Sequence, residues 1–168
     1  MFVPIIMGSN SDLEQGRAVA DTLQKLGIPS ELRVGSAHKT PGHVLEMISA
    51  YEADPRPKVY VTIAGRSNAL SAFVDAQIQS PVIACPPVSS AFAGGDIFSS
   101  LRMPSGVAPA VVLDPAGAAL LAAKILSVAY PELRERIATL QHANMETILQ
   151  DDAELRRQQG GVNDLFGR

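Results

Sequence analysis

Three short segments, Phe2–Met7, Val59–Ala64 and Pro81–Cys85, are almost continuous in apolar residues. A strand with one solvated face alternates apolar and polar side chains. A run that is apolar throughout must be covered on both faces, as the central strands of a parallel sheet are. Parallel neighbours need long crossovers, so such a chain is committed to helices between its strands. Those helices are legible. Leu13, Ala20, Leu23 and Leu26 share one helical face, and Gly27 with Pro29 ends that segment. Thr40 and Pro41 read as N-cap and first helical residue of a second, whose apolar positions are Val44, Leu45, Ile48 and Tyr51. Further helices are expected over Ala69–Ile78, Asp96–Arg102 and Pro115–Val128, the last rich in alanine and leucine and therefore buried. Glu31–Gly35 and Pro109–Leu113 are also strand-length, and Lys58–Ala64 carries the β-branched and aromatic bias of strands. The alternation predicts a doubly wound α/β sheet.

With 168 residues the chain suits a single domain, 1–168, with an α/β core over about 1–130. Residues 131–158 are charged and helical, with a narrow apolar stripe of Leu133, Ile137, Leu140, Ile148 and Leu155. That stripe fits packing on its own domain or on a neighbouring subunit. A tail, 159–168, is expected to be mobile or ordered by a partner. The net charge of −3 gives no basic field over the surface, which excludes nucleic acid as the main partner. An anionic ligand must be held by local donors instead. Cys85 is the single cysteine, so there is no internal disulfide framework, which fits a reducing compartment such as the cytoplasm. Met1–Met7 is far shorter than the ~20 apolar residues that cross a bilayer and lacks a basic flank, so it reads as a buried strand and no membrane partner is expected.

Ligands of open parallel sheets bind beyond the carboxyl ends of the strands, where strand order reverses. Three loops qualify. Gly8-Ser9-Asn10-Ser11-Asp12 is small, donor-rich and runs into a helix N-terminus, a natural phosphate cradle, though it is neither a Walker loop nor a dinucleotide fingerprint. Asp12 fits better as an acceptor for ribose hydroxyls; alternatively Ser9, Ser11 and Asp12 only cap the helix. Ser36-Ala37-His38-Lys39-Thr40 places an imidazole, with a reference pKa near 6.5, beside a mobile cation. Taken alone, His38 is either a proton-transfer group or a structural histidine. Ala64-Gly65-Arg66-Ser67-Asn68 offers an arginine at a strand end, either an anion clamp or a scaffold ion pair. If the first strand is central and flanked by the second and third, all three loops form one site. Ser99, Ser100 and Arg102 add hydroxyls and a cation further on, and Cys85-Pro86-Pro87 is a rigid turn expected to shape a wall. Cys85 reads as a buried small hydrophobe rather than a nucleophile. His43 and His142 fall on helical patterns and give no zinc ligand set.

Over about residues 2–130 the sequence resembles the phosphoribosylaminoimidazole carboxylase (PurE) family. Met7-Gly8-Ser9-Asn10-Ser11-Asp12 is similar to the family's Met-Gly-Ser-x-Ser-Asp, and Ser36-Ala37-His38-Lys39 to its Ser-Ala-His-Arg/Lys. Two branches exist. The branch that rearranges N5-carboxyaminoimidazole ribonucleotide usually has arginine after the histidine and a second histidine in its third loop. This chain has Lys39, a third loop without histidine, Cys85-Pro86-Pro87 and Ser99–Gly106, which resemble the class II branch that uses carbon dioxide directly.

The resemblance implies a three-layer α/β/α architecture with a flavodoxin-like parallel sheet and a long C-terminal helix. It implies reversible carboxylation of 5-aminoimidazole ribonucleotide (AIR) at C4 to 4-carboxy-AIR, with no cofactor and no metal. His38 would be the general acid and base. Gly8, Ser9, Ser11, Asp12, Ser36, Lys39, Ala64, Gly65, Arg66 and Ser67 would contact nucleotide or carbon dioxide. The segment Ala91–Arg102 is the candidate lid that excludes water. Homo-oligomers, tetramers or octamers, are implied as well. Two alternatives stay open: the mutase of the other branch, and a non-catalytic nucleotide-binding module on the same sheet.

Overall fold

The computed structural model describes residues 1–159. Five strands, β1 (Val3–Met7), β2 (Ser30–Val34), β3 (Tyr60–Ile63), β4 (Val82–Ala84) and β5 (Ala110–Val111), form one sheet in the order β2-β1-β3-β4-β5. Every pairing is parallel, with Ile5 opposite Leu32 on one side and Val61 on the other. This is the doubly wound order 2-1-3-4-5, in which the strand order reverses between β1 and β3 and opens a crevice there.

The continuous apolar runs are explained by two-sided covering. Val3, Ile5 and Met7 of β1 join Val61, Ile63 and Ile83 in one core with helix α1 (Leu13–Lys25), helix α5 (Pro115–Leu126) and the first turns of α6 (Leu133–Gln158). Ile6, Tyr60 and Val82 point the other way, into a second core with α2 (Pro41–Glu52) and α3 (Ala69–Asp75). The period of two along each strand therefore sorts side chains between two helical layers. Ala118, Ala119, Ala122 and Ala123 are fully buried, so the small residues of α5 let it lie close on the sheet and on α1. A Cβ at Gly16 would come 2.6 Å from Met7 Sδ, so α1 also approaches β1 at a distance only glycine permits.

Elements are shorter than their apolar patterns. Pro81 and Pro109 have no N–H for the ladder, so β4 and β5 begin one residue later. Lys58 makes only an isolated bridge with Phe2. The helix expected over Asp96–Arg102 is a 3-10 turn, Gly95–Ile97, followed by the four-residue α4 (Phe98–Leu101). Thr40 does stand at the N-cap of α2, but its side chain does not cap the helix; it accepts the Ser36 N–H at 3.0 Å.

The stripe on α6 divides. Leu133 and Ile137 are buried and Leu140 packs against the same core, whereas Ile148 and Leu155 are exposed beside Met145 and Leu149. Arg136 ties the inner half down, donating to the Leu26 carbonyl at 3.1 Å at the end of α1. Of the expected tail, 159–168, residues 160–168 lie outside the described residues. Among the described residues no helix is long and apolar enough to cross a membrane.

Candidate active site

The loops after β1, β2 and β3 line one cavity of about 520 Å³ at the carboxyl edge of the sheet. Its wall takes Gly8, Ser9, Ser11 and Asp12 from the first loop, Ser36, Ala37, His38 and Lys39 from the second, and Ala64, Gly65, Arg66 and Ser67 from the third. Every residue singled out from the sequence as substrate-binding or catalytic is among them. Leu70, Pro87 and Ser89 complete the lining. Pro87 belongs to the turn expected to shape a wall. Ser89 carried no sequence signal, because nothing local marks a serine two residues beyond a proline pair.

The first loop is built as a cap. Ser9 is extended (φ −155°), and its Oγ accepts the Ser11 N–H at 3.2 Å while its own N–H donates to Asp12 Oδ2 at 3.2 Å. This reciprocal capping box opens the 3-10 turn Asn10–Asp12 that leads into α1. Capping and cavity lining are thus properties of the same residues. Burial pushes the Asp12 carboxyl up, against hydrogen bonds from the Ser9 amide and Ser11 hydroxyl that pull it down.

The second loop is a closed turn. Thr40 N–H donates to the Ser36 carbonyl at 2.8 Å, and Lys39 N–H donates to Ser36 Oγ at 3.2 Å. His38 is thereby held at the tip of the turn, exposed on the cavity side. The third loop turns through Arg66, whose φ of 54° is left-handed, a conformation that side chains other than glycine rarely adopt. Asn68 then caps α3, its Oδ1 accepting the Ser71 N–H at 3.1 Å. A Cβ on Gly65 would lie 3.0 Å from Pro87 Cγ, so the loop and the proline wall touch.

Charge inside the cavity is unusually available. Neither Lys39 nor Arg66 forms an ion pair or side-chain hydrogen bond with another described residue. Two cations, one carboxylate and one imidazole therefore face a common space lined with serine hydroxyls and loop amides.

Other candidates lie elsewhere. Ser99 and Ser100 do not reach the cavity; they bond to Asn68 at 2.9 Å each. No residue of the expected lid, 91–102, contributes to the described lining. Cys85 is buried, with Gln15 Nε2 donating to its carbonyl at 2.9 Å and to Sγ at 3.2 Å, and burial raises its thiol, so it behaves as core. His43 is exposed on α2, and His142 lies 3.6 Å from Glu146 on α6. Among the described residues no group of three or more His, Cys, Asp or Glu is arranged to hold a metal ion.

A family model described as AIR carboxylase matches residues 2–147. The chain belongs to the AIR carboxylase family. The phosphoribosylaminoimidazole carboxylase of Treponema denticola is 52% identical over 156 residues, an overlap of 93% of this chain and 98% of that protein. The enzyme of the same name from Archaeoglobus fulgidus is 51% identical over 156 residues, covering 93% of this chain and 86% of its own. The crystal structure of Treponema denticola PurE superposes with a TM-score of 0.89 at 51% identity, covering 92% of this chain and 98% of that one. The Treponema denticola structure thus shares the α/β fold over nearly its whole length.

Proposed function

We propose that this member of the AIR carboxylase family catalyses the reversible carboxylation of AIR at C4 with carbon dioxide, giving 4-carboxy-AIR in de novo purine biosynthesis. The observation that carries this reading is that His38 lines the same cavity as the capped Ser9–Asp12 turn and the cations Lys39 and Arg66, whose side chains pair with no other described residue. 4-Carboxy-AIR bears two anionic groups, a phosphate and a carboxylate, separated by a ribose and an imidazole. A cavity with two cations on different loops, and a carboxylate able to accept ribose hydroxyls, is complementary to that pattern.

The chemistry follows from the ring. The 5-amino group makes C4 enamine-like, so C4 attacks carbon dioxide and a C–C bond forms. C4 then carries both hydrogen and carboxylate. His38 accepts the C4 proton as the C–H bond breaks, and its electron pair restores the aromatic ring. In reverse, His38 protonates C4 before the C–C bond breaks. The amides and hydroxyl of Gly65–Ser67 steady the charge that develops on the incoming carboxylate. Water exclusion is left to the walls around Pro87 and Ser89.

Direct use of carbon dioxide is favoured over rearrangement of an N5-carboxylated substrate by Lys39 after the histidine and by a third loop without a second histidine. We also infer a homo-oligomer of one-domain subunits, since the outer half of α6 exposes Met145, Ile148, Leu149 and Leu155, and a cytoplasmic setting suited to a chain with one cysteine. The test is an incubation of the purified protein with AIR and bicarbonate, without ATP or a second enzyme. Formation of 4-carboxy-AIR is expected. Turnover of the N5-carboxylated compound but not of this mixture would assign the mutase reaction instead.

A further inference from the structure

The third loop reaches the cavity in a strained form, and what holds it there lies outside the cavity. Arg66 has a left-handed backbone (φ 54°) although it is not glycine. Such a conformation persists only where the surroundings over-determine it. On the sheet side the loop emerges from β3 next to Ile63, whose carbonyl takes the Gly8 N–H at 2.8 Å. On the far side stands Asn68, which is 2% exposed and has no contact with the cavity.

Four hydrogen bonds converge on Asn68. Its N–H donates to Ser99 Oγ at 2.9 Å and its Nδ2 to Ser100 Oγ at 2.9 Å. Its Oδ1 accepts the Ser71 N–H at 3.1 Å and the Ser71 hydroxyl at 2.8 Å. With that hydrogen committed, Ser71 Oγ is the acceptor in its 2.8 Å contact with Thr62 Oγ1 of β3. The chain of bonds also runs outward. Ser99 Oγ donates to the Asp96 carbonyl at 2.8 Å, and Asp96 Oδ2 accepts the Ser89 N–H at 3.1 Å. Ser89 lines the cavity. A polar relay thus runs from the sheet through Asn68 to the opposite wall, Ser89; its bonds around Asn68, Ser71 and Ser100 are buried, and those through Ser99 to Asp96 and Ser89 are partly buried.

We propose that Asn68 is a positioning residue for the carboxylation step: its amide, braced on Ser99 and Ser100, fixes Gly65–Ser67 so that their donors meet the developing carboxylate. Residues 95–101 are then a strut behind the active site rather than a moving lid. This rests on the carboxylase reading above. The nucleotide phosphate and ribose fall to the first and second loops, so loss of the strut costs turnover and leaves nucleotide affinity nearly unchanged.

The experiment compares wild type with Asn68→Ser, Ser100→Ala and the double variant. Serine still caps α3 but does not reach Ser100, so the fold is retained; thermal melts confirm it, and Ser100→Ala removes the same bond from the other end. Expected is a fall in kcat of about 10- to 100-fold for Asn68→Ser with the Kd for AIR, which lacks the carboxylate, within about threefold, a misplacement effect on the reacting groups. The loss in the double variant should match the larger single loss, because both changes cut one brace. Amide hydrogen exchange at residues 65–67 should speed up in both single variants, with or without substrate. A folded Asn68→Ser protein with wild-type kcat, losses that multiply in the double variant, or unchanged exchange at 65–67 would overturn the assignment. A wild-type protein without turnover on AIR and bicarbonate would overturn the carboxylase reading alone, since the exchange measurement still decides the strut.

Discussion

Gly8 and Ile63 join the first and third loops before either reaches the cavity: the Gly8 N–H donates to the Ile63 carbonyl at 2.8 Å. On the other side of β1, Gly35 N–H donates to the Met7 carbonyl at 2.9 Å. The hydrogen-bond ladder of the parallel sheet is thus continued one residue past the strand ends on both flanks of β1. Three loops far apart in sequence leave the sheet already registered to one another. Preorganisation of this kind reduces the rearrangement that the three loops would need on binding a ligand.

The imidazole at the tip of the second loop is the group with the largest expected effect. Replacing His38 with asparagine keeps the size and polarity of the turn and removes the titratable site. Turnover should fall by about 10²- to 10⁴-fold, the usual contribution of a positioned acid and base. Binding of 4-carboxy-AIR, measured by calorimetric titration, should stay within about threefold, because the anion-holding cations are untouched. Equal loss of binding and turnover would show His38 to be a ligand contact rather than a proton carrier.

The fold and most of the lining of the candidate site were legible because both depend on short-range pattern. Continuous apolar runs forced buried parallel strands, and loops at strand ends that are rich in Ser, Gly and charge marked the open edge. The reading failed where side chains act at long range. Ser99 and Ser100 read as further site hydroxyls, yet they serve Asn68, 31 and 32 residues earlier in the chain. Thr40 read as a helix cap, yet it closes the His38 turn through Ser36. A polar residue's partner is set by tertiary contact, and no periodicity encodes it.

Gly65 tests how closely the third loop must approach the proline wall. A Cβ there would lie 3.0 Å from Pro87 Cγ and 3.3 Å from the Pro87 carbonyl oxygen. A proline ring and a backbone oxygen yield little, so Gly65→Ala should push the loop outward by a few tenths of an ångström. The expected result is a fall in kcat/KM of about tenfold, as small misplacements near reacting atoms cost that much or more. Unchanged kinetics would mean that the Gly65 amide has no role in the carboxylation step.

Lys39 and Arg66 are expected to divide the two anions of the product between them. Removing one charge-assisted hydrogen bond costs about 1.5–3 kcal/mol, equivalent to roughly 10- to 150-fold in affinity. Lys39→Met and Arg66→Gln should each weaken 4-carboxy-AIR binding within that range. The comparison ligand is AIR, which has the phosphate but no carboxylate. The variant that loses affinity for both ligands has lost the phosphate contact; the one that loses affinity for 4-carboxy-AIR alone has lost the carboxylate contact. Titration of both variants with both ligands decides the assignment, and two variants with identical profiles would refute the division.

Asp12 connects the site to stability, and the sign can be worked out. Burial holds its carboxyl above the ordinary 3.8, despite the Ser9 and Ser11 hydrogen bonds. A native pKa above the unfolded one means that the folded chain binds this proton more tightly. Stability from this group therefore declines as pH rises through the range just above 3.8, where the native carboxyl must ionise in a poorly solvated place. Asparagine keeps an acceptor for the Ser9 N–H and never ionises. Asp12→Asn should then melt at a higher temperature than wild type at pH 7, with the gap narrowing as the pH falls and closing only below 3.8, where the aspartate is neutral in the folded and the unfolded chain alike. Nucleotide affinity at pH 7 should move the other way, falling by about tenfold as a charged acceptor for ribose hydroxyls becomes a neutral one. Thermal melts across this pH range, paired with titrations of AIR, read both effects. A stability gap that does not vary with pH would show that the Asp12 charge is not what burial opposes.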